Sequence, residues 1–189
     1  MHALGLILVL LQAPGDGWAL AQPPPREVKS LYWDLFGTTE TWVSIIPADP
    51  AGGRALVRLV FQAFFVGKEA KGAPSRLVLR ALALPMTVVS KYPLRLIVDD
   101  HETIDLGASC VSPGTGSGPP PCQLLYPVCD QGCSANGVAV DIQPALLNRL
   151  GKAHAVTGTA LGFSILLTSK DRAAIGDLAK TIERATARE

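Results

Sequence analysis

Residues 54–66 hold the pattern that most constrains the fold. Val57, Leu59, Phe61, Ala63 and Phe65 share one parity, while Arg58 and Gln62 fall on the other. Successive side chains of a strand point to opposite faces, whereas a helix repeats every 3.6 residues. A period of two held this long therefore demands a strand with one buried face. A second run repeats the pattern at residues 76–84, where Leu77, Leu79, Ala81 and Ala83 oppose Arg76 and Arg80. Pro85 stops it, because proline has no N–H for a ladder.

Other segments fit the same plan. Residues 40–46 carry Trp42, Val43, Ile45 and Ile46, and Asp49-Pro50-Ala51-Gly52-Gly53 makes a turn after them. Residues 94–98 predict a short strand, residues 99–102 a turn, and residues 103–106 the return. Residues 137–142, 153–160 and 163–168 predict three more strands. Two helices interrupt the β pattern. Pro144 suits the first turn of a helix over 144–150, with Leu146, Leu147 and Leu150 toward the core and Gly151 just past the end. Ile175, Leu178 and Ile182 recur at helical spacing over 171–184, with Ser169 as the expected cap and Asp171 complementing the dipole. No internal repeat is present. The expected class is mainly β: an immunoglobulin-like β-sandwich with a short helix near 144–150 and a C-terminal helix near 171–184.

The N-terminus is set apart from that domain. Residues 3–11 are apolar except for Gly5, too short a run to span a bilayer. Ala19-Leu20-Ala21 then offers the small-x-small pattern of a cleavage site. The expected layout is a signal peptide over 1–21, an extended Pro-rich leader over 22–38 containing Pro23, Pro24 and Pro25, and a single domain over 39–189. No later run is long and apolar enough for a transmembrane helix. Four cysteines, Cys110, Cys122, Cys129 and Cys133, lie close together, and in an exported chain an even number predicts disulfides. Four cysteines allow three connectivities. Export points to a periplasmic or secreted protein. Charge adds an exclusion: 17 basic against 16 acidic residues leave a net charge of +1, and aromatics are only 6%, so nucleic acid is not an expected partner.

Candidate sites are few. The cysteine spacing, x11, x6 and x3, lacks the paired knuckles of structural zinc sites, so disulfides are the expected state and no metal site is assigned. Asp99-Asp100-His101-Glu102 is the densest titratable cluster. It reads as a solvated hairpin turn, with a metal or acid–base centre as the alternative. His154 lies in a strand-like run. Gly114-Thr115-Gly116-Ser117-Gly118 fits neither a nucleophile elbow nor a dinucleotide loop. No catalytic residues and no cofactor follow from any of these. Val60 and Phe64 stand on the face of their strand opposite Phe61 and Phe65, and are candidates for partner docking if that second face is exposed.

Over about residues 82–180 the chain resembles the invasion-associated locus B family of exported proteins. The resemblance is carried by Leu84-Pro85, by Pro93-Leu94-Arg95-Leu96-Ile97-Val98-Asp99, by Cys110, by Gly132-Cys133 and by the Leu-rich segment 145–151 ending in glycine, with Trp42 matching an early tryptophan strand. The family's usual cysteine pair in the N-terminal half is missing here. The resemblance implies Cys110 paired with Cys133 and Cys122 with Cys129; the other pairing weighed is Cys129 with Cys133 and Cys110 with Cys122. The expected function is that of an exported, non-enzymatic β domain acting by protein or cell-envelope contact. Two alternatives stand beside it: a small periplasmic metal-binding protein or enzyme centred on Asp99, Asp100, His101 and Glu102, and a chaperone-like or inhibitor module using an open sheet edge.

Overall fold

The computed structural model describes residues 26–83, 94–106, 122–125, 128–129, 133–134 and 137–188, with backbone only for 122–134. The cysteine side chains, the loop over 111–121 and the leader up to residue 25 lie outside the described residues.

The alternating segments form strands as their periodicity requires. The elements run β1 (Lys29–Trp33), β2 (Thr38–Ile45), β3 (Val57–Val66), β4 (Arg76–Ala83), β5 (Leu94–Val98), β6 (Glu102–Asp105), β7 (Cys122–Leu125), β8 (Val128–Cys129), β9 (Cys133–Ser134), β10 (Gly137–Asp141), α1 (Pro144–Lys152), β11 (Val156–Ala160), β12 (Phe163–Leu167) and α2 (Ser169–Thr186). A six-stranded sheet has the order β1-β2-β3-β4-β10-β7, a four-stranded sheet the order β12-β11-β5-β6, and β8 pairs with β9. All pairings are antiparallel.

The protein is thus mainly β, with two antiparallel sheets and two helices in a sandwich-like arrangement. The first four strands follow one another as a meander. An immunoglobulin sheet instead interleaves strands distant in sequence, and that detail of the expectation is not carried by the observed order.

One hydrophobic core joins both sheets to both helices. Val43 and Ile45 of β2, Val57, Leu59, Phe61, Ala63 and Phe65 of β3, and Leu77, Leu79 and Ala81 of β4 point into it. Leu94, Leu96, Val156, Ile165 and Leu167 enter from the second sheet, and Leu147, Leu150, Ile175, Leu178 and Ile182 from the helices. This single connected core is what the period-two strands and the helical stripes require of each other.

Three local expectations are corrected. The cap of α2 is Thr168, one residue ahead of Ser169: the Asp171 amide donates to Thr168 Oγ1, and Asp171 Oδ2 accepts from the Thr168 amide at 2.8 Å. This reciprocal pair is a capping box, with an aspartate in the place of the usual glutamate. Gly151 lies inside α1, not beyond it, and the C-cap is Ala153. A Cβ on Gly151 would come within 2.7 Å of the Gly176 Cα, so the glycine is there to let the two helices touch. Finally, β1 lies inside the stretch expected as leader and pairs with β2 along its whole length, from Lys29 opposite Trp42 to Trp33 opposite Thr38.

The segment leading into β1 is tied to α2. Arg26 Nε donates to Asp171 Oδ1 at 2.5 Å, and the Asp171 side chain is fully buried. A carboxylate taken out of water survives only when its oxygens are satisfied. Here Arg26, the Thr168 amide and the Thr168 hydroxyl do so.

Candidate functional site

Residues directly opposite in an antiparallel sheet share a face. The register therefore defines the outer face of the six-stranded sheet, turned away from the core. One row holds Leu31, Glu40, Phe64 and Arg76; the next holds Lys29, Trp42, Gln62, Val78 and Asp141; the next Ser44, Val60, Arg80 and Ala139. Val60 and Phe64, singled out by parity, are both on this face and both half-buried. Val60 lies between Ser44 and Arg80, and Phe64 between Glu40 and Arg76, so polar and charged side chains of both signs flank them. Gln62 is buried and donates to Glu40 Oε1, but among the described residues its own Oε1, Ser44 Oγ and Arg80 Nε have no hydrogen-bond partner.

The outer face runs into an exposed apolar corner. Of the six large hydrophobic side chains exposed among the described residues, five lie there: Leu31, Trp33, Leu35, Phe36 and Val66; Leu56 is the sixth. The corner is built by two strand ends and a turn. Trp33 and Val66 flank Thr38 in one row, and Leu31 shares the row of Phe64. Between β1 and β2 the chain turns through residues 34–37, with the Phe36 amide donating to the Trp33 carbonyl and the Gly37 amide donating to the Asp34 carbonyl. Gly37, at φ +60°, takes the left-handed position of the turn, which leaves Leu35 and Phe36 at its tip, 88% and 72% exposed. Trp33 is held by its indole N–H, which donates to Glu40 Oε2 at 3.0 Å. The turn itself is tied down mainly by its own backbone bonds and by the Gly67 amide on the Gly37 carbonyl.

Leu31, Trp33, Leu35 and Phe36 were not among the sequence candidates. The prolines just upstream made residues 22–38 read as a leader. The signal present was the run Leu31-Tyr32-Trp33 followed by Asp34 and Gly37, a strand meeting a turn.

β1 is also an open edge. It ends the strand order, has β2 alone as partner among the described residues, and four of its five residues are exposed. Unpaired edge groups beside apolar side chains invite another strand.

The acidic turn is organised differently. Asp99 and Asp100 have φ of 50° and 61°, and the His101 amide donates to the Val98 carbonyl. Two successive left-handed residues make the primed turn that suits a hairpin, and aspartate tolerates it better than most residues. Asp99 Oδ1 accepts the amides of His154 and Ala155 at 2.7 and 2.8 Å. The Ala155 amide above all, then the His154 amide and the two nearby imidazoles, hold the Asp99 carboxyl below the usual carboxylate range, against partial desolvation. Glu102 accepts from Arg149 at 2.5 Å. Among the described residues no group of three or more histidine, cysteine or acidic side chains is placed to hold a metal ion. Two of the four side chains in the acidic cluster therefore join the turn to β11 and α1.

Comparison of the chain with family models, curated proteins and solved structures finds no match. No helix among the described residues is long and apolar enough to cross a membrane.

Proposed function

We propose that this protein is an exported, non-enzymatic β domain that acts by contact with a protein or cell-envelope partner, as the resemblance to invasion-associated locus B proteins implies. The observation that supports it best is the apolar corner: Leu31, Trp33, Leu35, Phe36 and Val66, continuous with Phe64 on the outer sheet face. Exposed apolar side chains scattered singly need no explanation, but a contiguous group marks a contact surface. On this reading the mature chain starts at Gln22 in the periplasm or outside the cell, and its four cysteines form two disulfides.

The sheet-edge alternative gains support from the same place, because β1 is both open and apolar. The two readings share one surface. An acid–base or metal centre at the acidic turn has less support, since Asp99 and Glu102 are engaged in structural contacts.

The test is fractionation of cells producing the protein, with wild type compared to the double variant Leu35→Ser/Phe36→Ser. Wild type is expected to co-isolate with envelope material and the variant to be released. Equal retention of both would defeat the proposal. Mass spectrometry of the same samples, without reduction, checks the start at Gln22 and reads the cysteine linkages directly.

A further inference from the structure

We infer that the open β1 edge is a self-association site, at which two copies of this chain pair β1 with β1 antiparallel and continue the six-stranded sheets into one. The inference rests on the corner being a contact surface, and it names the occupant of the strand edge beside the tip.

The strand is self-complementary. The register that overlaps all five residues sets Leu31 opposite Leu31 of the second copy, with Lys29 opposite Trp33 on either side. All of these side chains lie on the outer face, and a two-fold axis perpendicular to the sheet keeps them there in both copies. Leucine then meets leucine on the axis, and each ammonium meets an indole, a favourable cation–aromatic pairing. Continued past the strand, the same register brings the turn of residues 34–37 of one copy beside residues 26–28 of the other. In that register Leu35 stands opposite Glu27 and Phe36 opposite Arg26 of the second copy, so the apolar tip stays at the rim of the pairing.

The corner's charge favours a second copy over a lipid surface. Arg26, Lys29, Lys68 and Arg76 are balanced by Glu27, Asp34, Glu40 and Glu69, so no cationic excess attracts anionic headgroups. Asp34 sits between Trp33 and Leu35, and a tip inserted into a bilayer would carry that carboxylate with it.

A five-residue edge makes a small interface, so dissociation near the micromolar range, roughly 1–100 μM, is expected. Sedimentation velocity of the full protein, purified from the envelope, is expected to show a concentration-dependent doubling of mass. Leu31→Lys, which sets two ammonium groups face to face on the axis, is expected to raise the dissociation constant by about tenfold or more with an unchanged circular dichroism spectrum. Leu31→Cys is expected to yield an oxidised covalent dimer. Leu56→Cys, equally exposed but at the far end of β3 from Val66, is not. A strict monomer up to millimolar concentration overturns the inference, as does covalent dimer formation by Leu56→Cys as readily as by Leu31→Cys. A monomer that still needs Leu35 and Phe36 for envelope retention overturns the pairing alone and leaves the proposed function intact. A dimer whose retention ignores those residues supports the pairing and defeats the function.

Discussion

Two hairpin turns of this protein, residues 99–101 between β5 and β6 and residues 34–37 between β1 and β2, are of similar size and opposite character. The first is dense in ionisable groups, and two of them are committed: Asp99 to two backbone amides of the segment before β11, Glu102 to Arg149 of α1. The second carries a leucine and a phenylalanine that face solvent at its tip, with Trp33 just ahead of it. Ionisable side chains near backbone donors find partners within their own chain. Among the described residues, nothing covers the apolar side chains at the tip of the second turn. In this molecule the chemically rich turn is therefore structural, and the chemically plain one is the better candidate for contact with something else.

Breaking the core that both turns hang from should have the largest effect. Phe61 is fully buried on β3, next to the strand that ends in the exposed turn. Phe61→Ala is expected to cost about 3–5 kcal/mol in denaturant unfolding. That loss sets the scale, and a value under about 1 kcal/mol would mean that the inner face is not the stabilising one. The next effect is expected at the committed turn. Asp99→Ala removes the acceptor for two amides and should lower the melting temperature measurably. The sign with pH follows from the depressed carboxyl. Its stabilising contribution is complete above the unfolded value, about 3.9, and fades as pH falls through the lower folded value. Wild type should therefore lose part of its advantage over Asp99→Asn below about pH 4. A difference independent of pH between 2 and 7 would assign Asp99 a role other than charge. Glu102→Gln should matter less, about 0.2–1 kcal/mol, because the Arg149 pair is roughly half exposed.

The contrast between the turns explains what could be read in advance. The period of two in β3 and β4 and the stripes of α1 and α2 are local, and Leu146, Leu147, Leu150, Ile175, Leu178 and Ile182 are buried as their spacing requires. Parity alone put Val60 and Phe64 on the outer face. Non-local facts were not legible. Gly151 looks like a helix stop until α2 brings Gly176 against it. Thr168 caps α2 in place of Ser169 because Asp171 reaches back to it while also meeting Arg26 from the other end of the chain. The exposure of Leu35 and Phe36 depends on β1 pairing with β2, and three upstream prolines hid that strand.

The smallest expected effect on stability is also the most informative for function. Leu35 is 88% exposed and makes no contribution to the core, so Leu35→Ser should shift unfolding by no more than about 0.5 kcal/mol. Its effect on envelope retention should nevertheless be large, because a side chain that is nearly free in the single chain loses its contact energy only in the complex. The same substitution at Leu56, also exposed but distant from the corner, should change neither quantity. Parallel melting curves and fractionation on these two variants separate a sticky surface in general from one particular corner. If Leu56→Ser releases the protein as fully as Leu35→Ser does, exposure alone drives retention and the distinction between the two turns carries no functional meaning. If only Leu35→Ser does so, the corner is selected by position, and the short turn that the acidic cluster outshone in the sequence is where this protein meets its partner.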